Sequence, residues 1–416
     1  MSVGERDSER DSCLEAPTPR VASVSTAVDL PSAAVQRFGM PAYLKMRKPL
    51  RYCRGEAPLG PILIIGGAGY IGSVLTRELL EAGYHVRVLD QLLFGAAGVR
   101  DLAGHPRFEL QVGDLRDSGD LQRAAGGIKA VIHLGAIVGD LACRASELAA
   151  RQINYEATAS VLRVCRDTAV SRLLFASTCS VYGTTGDLVD EESPLKPLSL
   201  YAATKAASES LLLASFSRCF HPTVLRLGTA FGWSPRPRFD LVVNLLAAKA
   251  FCGHEVEILN PNQWRPFVHV RDIARAFLLA LQSPPSEVGG RVFNVGSACM
   301  NHPLSALRGA ILESAPGTRV RYATHPDQRD YRVCFRRIRR TLGFECQMSL
   351  PEGITEIHRH LKLHPVVDYT AGIFHNHLCR VPPSHYAPPA PADLRGKPDE
   401  DRRKSRPWAS PVPAAG

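Results

Sequence analysis

Tyr201 and Lys205 stand four residues apart in SLYAATKAASESLLL (199–213). That segment's pattern predicts a helix, so the two side chains share one face. A phenol has a pKa of about 10 and is a poor base at neutral pH until a cation lowers it. Lys205, one turn away, is the expected cation. Upstream, FASTCSVYG (175–183) places Ser177, Thr178 and Ser180 at the end of a strand-like run. The carboxyl end of a strand is where ligands bind in open α/β sheets. A hydroxyl there can hold a substrate oxygen while Tyr201 removes its proton and a nicotinamide takes the hydride.

A place for such a cofactor lies earlier in the chain. In LIIGGAGYIGS (63–73), Gly66, Gly69 and Gly72 follow a buried-strand run and open a helix. This context turns a glycine pattern into a dinucleotide fingerprint. Gly66 is expected to make the tight turn, Gly69 to let the pyrophosphate approach the helix N-terminus, and Gly72 to let helix and strand pack. Asp90 ends the next strand run, at the spacing of about 20 residues expected for the carboxylate that binds the ribose hydroxyls. A carboxylate there favours NAD over NADP, and the following QLLFG brings no arginine to reverse the preference. Asp114, in GDLRD just past the third strand run, is a candidate for the adenine amino group.

The elements that must position these residues alternate. Strand-like runs at 61–65, 84–90, 107–112, 129–134, 172–177 and 223–228 are separated by helical patterns such as 70–83 and 147–169. Such alternation predicts an α/β, Rossmann-type doubly wound parallel sheet with helices on both faces. After about residue 229 the pattern breaks into shorter pieces, with one more strand-like run at 291–296. Four regions are expected: a flexible arm over 1–57, the cofactor-binding domain over 58–228, a smaller lobe with return segments to the sheet over 229–375, and a disordered Pro-rich, charged tail over 376–416.

Composition narrows the classes. Of 416 residues, 45% are hydrophobic and 22% charged, ordinary globular values, and no apolar run is long enough to span a bilayer. The charged N-terminus has no apolar core of a signal peptide, so a cytoplasmic protein is expected. The eleven cysteines are scattered, without a metal-ligand spacing, which favours reduced thiols and no metal. A net charge of +10 is concentrated in runs at 43–54, 332–340 and 399–407 without interleaved aromatics. An anionic small molecule fits that distribution better than nucleic acid or a membrane.

GGAGYIGS, GDLRD, HLGA, STCSVYG, YAATK, RPFVHVRDIA and FNVG occur in one order over about residues 60–360. In this the chain resembles the extended short-chain dehydrogenase/reductase family, in its NAD-dependent nucleotide-sugar epimerase/dehydratase branch. The resemblance implies Thr178, Tyr201 and Lys205 as catalytic residues. It implies a cofactor site of Gly66, Gly69, Tyr70, Ile71, Gly72, Asp90, Asp114, Leu115, Leu134, Gly135 and Ala136, with Tyr201 and Lys205 beside the nicotinamide. On the substrate side it implies Arg265; where relatives clamp the diphosphate with an arginine in an Arg-x-Gly-Asp-like stretch this chain departs with PDQRDYRV (326–333), in which Arg329 and Arg332 are both candidates. IVGDLACRAS (137–146) would line the sugar side, through Asp140 or Cys143.

One departure is informative. Relatives that dehydrate a sugar carry an Asp-Glu pair after the catalytic threonine, and here those positions are Cys179 and Ser180. The resemblance therefore implies an epimerase working through a transient keto sugar, with a 4-dehydrogenase that releases keto sugar and NADH as the alternative. A non-catalytic, NAD-binding scaffold is the remaining reading. Family members often pair two helices of the sheet domain, so 147–165 and 199–213 are expected at a homodimer interface.

Overall fold

The computed structural model describes residues 60–364 and 368–378. The expected arm and most of the expected tail lie outside the described residues. The first half contains β1 (Ile62–Ile65), α1 (Tyr70–Glu81), β2 (Val86–Asp90), β3 (Phe108–Val112), α2 (Ser118–Ala125), β4 (Ala130–His133), α3 (Asp140–Ala145) and α4 (Glu147–Arg151). It continues through α5 (Ala157–Asp167), β5 (Arg172–Thr178), β6 (Thr184–Val189), α6 (Leu200–Leu213) and β7 (His221–Leu227). The second half adds β8 (Thr229–Phe231), α7 (Val242–Phe251), β9 (Val256–Leu259), β10 (Trp264–His269), α8 (Val270–Gln282), α9 (Pro285–Val288) and β11 (Arg291–Val295). The last elements are β12 (Asn301–Pro303), α10 (Ala306–Ser314), β13 (Val320–Ala323), β14 (Asp330–Val333), α11 (Arg336–Leu342) and α12 (Leu350–Leu363).

Seven strands form one parallel sheet in the order β11-β7-β5-β4-β1-β2-β3. The strand order reverses between β1 and β4, the switch point at which such sheets open a ligand crevice. Side chains of a strand alternate between faces. Ile62 and Ile64 accordingly pack with α1 and α8 on one side, while Leu63 and Ile65 pack with α2 and α5 on the other. The run at 291–296 returns to this sheet as β11, paired in parallel with β7. A second core, built from α7, α10 and α12 with Phe231, Phe239 and Phe267, supports the smaller lobe.

Two sequence expectations need correction. The helical pattern 147–169 is not one helix: a π-helical turn over Gln152–Glu156 separates α4 from α5. The wider turn lets Asn154 accept from the Ile137 N–H at 2.8 Å and donate to its carbonyl at 3.0 Å. Such turns are common at functional sites, and this one clamps the loop that follows β4. The tail was expected from 376, but Asn376–Leu378 form a 3₁₀ turn packed on α3.

Candidate active site

A cavity of about 900 Å³ opens over the carboxyl ends of the central strands. Its first wall is backbone. Gly66 leaves β1 with φ +82°, and a Cβ there would lie 2.8 Å from the Gly135 nitrogen. At Gly72 a Cβ would lie 2.3 Å from the Gly66 carbonyl oxygen, so α1 packs on the turn only through glycine. Gly69 is the N-cap of α1 and meets only the Gly66 oxygen, at 3.4 Å, which leaves the helix N-terminus open to the cavity. Ile71, Leu115, Leu134, Gly135 and Ala136 line the same wall. Tyr70 lines it too, but its hydroxyl donates to the Gly232 carbonyl at 2.8 Å and so ties α1 to the segment after β8.

Asp90 closes β2 with its carboxylate in the cavity wall, accepting from the N–H groups of Ala68 (2.9 Å) and Leu92 (2.8 Å). Burial pushes its pKa up, against these two bonds and the Arg236 charge. Asp114 behaves differently from the expectation for an adenine contact. Its carboxylate is gripped by the Arg116 guanidinium at 2.6–3.0 Å and by Gln91 at 2.9 Å, outside the cavity lining. A bidentate arginine consumes the lone pairs a ligand would need.

Tyr201 and Lys205 are carried by α6, whose N-cap Ser199 accepts from Ala202 N–H. Both line the cavity beside Thr178 and Ser180. Thr178 ends β5, and its hydroxyl accepts from the Ser180 N–H at 3.1 Å. The Lys205 ammonium donates to the Ala176 carbonyl at 2.8 Å and sits 4.5 Å from the centre of the Phe175 ring. Burial pulls its pKa down to about 8. Burial also pushes the Tyr201 phenol above its ordinary value, and the cation that opposes this is Arg238. Lys205 is one helical turn from the phenol on the same face of α6. Ser177 is spent elsewhere, in a bond to Glu209. Glu209 pairs in the core with Arg226, which donates to Tyr182 at 2.8 Å, and Tyr182 donates to Asn294 at 2.7 Å. This network locks β5, α6, β7 and β11 behind the site.

The opposite wall is cationic. Arg265 on β10 lines the cavity, donating to the Trp264 carbonyl at 2.9 Å and to the Arg329 carbonyl. Arg329 reaches across to Asp140 at 3.2 Å while held by Asp327 at 2.6 Å. Arg332, the alternative clamp, points away: it is exposed, donates to the Gly186 carbonyl at 3.2 Å and lies over the Trp264 ring. Strand alternation explains the choice, because Arg332 and the buried Tyr331 occupy opposite faces of β14. Tyr331 lines the cavity, its hydroxyl 3.4 Å from Ser180 Oγ. Cys143 is buried against the Ile137 carbonyl, its thiol raised to about 11, and is not part of the lining.

Sequence reasoning missed Arg236, Arg238 and Asp240, all in the lining. Arg238 is paired with Asp240 at 2.8–2.9 Å, and the Arg236 guanidinium stacks 3.7 Å from the centre of the Phe94 ring. The available signal was PRPRFD (235–240), an arginine pair set by prolines just after the sheet ends. Among the described residues no group of three or more His, Cys, Asp or Glu is placed to hold a metal, and no helix is long and apolar enough to cross a membrane.

The family model described as "NAD dependent epimerase/dehydratase family" matches residues 62–296, more than half of the chain. A UDP-glucose 4-epimerase of Lactobacillus helveticus is 30% identical over 273 residues, 61% of this chain and 80% of that protein. A dTDP-glucose 4,6-dehydratase of Actinoplanes sp. is also 30% identical, over 325 residues, 71% of this chain and 95% of that one. Among solved structures, the Thermus thermophilus UDP-glucose 4-epimerase in complex with NAD is 27% identical with a TM-score of 0.62, covering 73% of this chain and 99% of its own. The glycine turn that a Cβ would fill, the open N-terminus of α1 and the Asp90 carboxylate fit NAD as cofactor. With that fit, the chain belongs to the NAD-dependent epimerase/dehydratase family and is an enzyme of the nucleotide-sugar epimerase and oxidoreductase type.

Proposed function

We propose that the chain is a nucleotide-sugar epimerase that inverts a sugar carbon, C4, through a transient keto sugar. The observation that carries this reading is the content of the strand end beside Tyr201. Elimination of water needs an added acid and base there. The two residues after Thr178 are instead Cys179, fully buried with its thiol donating to the Arg226 carbonyl, and Ser180. Neither supplies a carboxylate.

The remaining roles follow from placement. Thr178 and Ser180 hold the oxygen of the reacting carbon, and Tyr201 removes and later returns its proton. NAD, when bound, supplies the hydride acceptor. Lys205, buried one turn from Tyr201, sets its ammonium beside the phenol and donates to the ribose. Arg265 and Arg329 grip the diphosphate with guanidinium forks suited to it. Asp140, whose Oδ1 is buried without a hydrogen-bond partner among the described residues, takes a sugar hydroxyl once Arg329 turns to the phosphate.

The test is incubation with NAD and UDP-, GDP-, dTDP- and CDP-sugars, following NADH absorbance and sugar configuration together. Inverted sugar without net NADH supports the epimerase; NADH accumulating with keto sugar transfers the assignment to a 4-dehydrogenase, and NAD binding without conversion to a scaffold. We propose further that the enzyme is a cytoplasmic homodimer joined through α4–α5 and α6. Leu148 and Tyr155 are exposed on that surface. A monomer in sedimentation would overturn this assembly.

A further inference from the structure

We propose that the segment Asp368–Leu378 is a strap that roofs the cavity and retains NAD between turnovers. The strap is stitched to the loop that carries the two missed arginines. The Phe239 N–H donates to the Phe374 carbonyl at 3.0 Å, Arg236 to the Ile373 carbonyl at 3.2 Å, and the Asn376 N–H to Asp240 at 3.2 Å. The Phe374 ring meets Phe239 edge-on at 5.6 Å, and the Tyr369 hydroxyl lies 2.7 Å from His254 Nδ1.

From this anchor the chain crosses the opening. His375 to Leu378 line the cavity, and the Asn376–Leu378 turn packs on α3, the sheet-domain helix that begins at Asp140. One end is therefore fixed to the smaller lobe while the other rests on the sheet domain. The same loop feels the cofactor end directly, since Arg236 stacks on Phe94 and its charge acts on Asp90. Holding the loop holds the wall of the ribose site. A second observation points to a ligand: Asn376 Oδ1 is buried in the lining with no hydrogen-bond partner among the described residues. A buried acceptor without a donor is costly, and a bound hydroxyl or amide satisfies it.

The consequence rests on the epimerase reading: an epimerase regenerates its NAD in each turnover and gains from keeping it, whereas a net dehydrogenase must exchange it. Closing segments commonly set release rates in this way. The experiment needs no sugar. The full-length protein is loaded with NADH, mixed with excess NAD, and the loss of bound NADH fluorescence is followed by stopped flow. Two full-length variants are compared: Phe374→Ala, which loosens the anchor, and His377→Gly with Leu378→Gly, which removes only the tip on α3. Release at least about tenfold faster in both is expected. Unchanged release in the folded tip variant overturns the strap, and that variant decides the matter if Phe374→Ala unfolds. Because the readout is NADH alone, an enzyme that converts no sugar in the panel removes the epimerase reading without touching this result.

Discussion

The glycine turn, the open N-terminus of α1 and the Asp90 carboxylate all come from residues 66–90, whereas the facing wall draws Arg238, Arg265, Arg329 and Asn376 from four separate segments. The first wall is backbone geometry and the second is side-chain charge. A local wall needs only a strand, a turn and a helix in the right order. A distributed wall needs the second core and the strap to be in place before its charges converge. The difference predicts distinct failures for substitutions on the two sides.

The largest effect is expected where the walls meet. Tyr201→Phe should lower kcat by about a thousandfold or more, the scale of a lost general base, while NAD binding measured by calorimetry stays near wild type. On the local wall, Gly72→Ala forces a methyl against the Gly66 carbonyl. Binding and stability should fail together there: NAD affinity is expected to drop by about a hundredfold, with a lower melting temperature. On the distributed wall they should separate. Arg329→Ala should raise KM by about tenfold to a hundredfold, the worth of a charge-assisted contact, with little change in NAD affinity. Arg332→Ala should stay within about twofold in all three quantities, as expected of an exposed residue. Equal effects of the two arginine variants on KM would break the comparison.

A smaller effect concerns pH. Burial lowers His133 and His269 from 6.5 to about 3 in the folded chain. The unfolded chain then binds more protons between those values, so stability rises with pH through that window and is lost as pH falls from about 6.5 towards 3. Urea midpoints should decline over that range, and His133→Gln should flatten part of the decline. His133 lies behind the local wall and His269 behind the distributed one, in contact with Glu356 at 2.8 Å, so His269→Gln should flatten it separately.

The same contrast explains what the sequence made legible. All seven strands of the main sheet were readable: the central ones are short, largely apolar runs bounded by turn residues, and the edge strand β3, FELQV and only partly buried, continues the same alternation of strand and helix. The glycine turn was readable because its function is its backbone. Thr178, Tyr201 and Lys205 were picked out from a strand end and a helix with β6 between them in the chain, and the fold brings all three into one lining. The pairing of Asp114 with Arg116 was not legible, because it is a matter of side-chain geometry. The choice between Arg329 and Arg332 required knowing which face of β14 turns to the cavity, and it is the face of Tyr331. The π turn at Asn154 could not be seen, since its reward is a contact with Ile137 from another element. The strap was hidden for the same reason: its anchors lie some 136 positions back along the chain.

The central claim is that a hydride leaves and returns to the same carbon within one cavity. Its most direct test is turnover of a C4-deuterated nucleotide hexose, chosen from those converted in the sugar panel, with the label followed in sugar and cofactor. The account predicts inverted C4 that retains deuterium, with no net NADH. Deuterium accumulating in released NADH, with keto sugar as product, would contradict it.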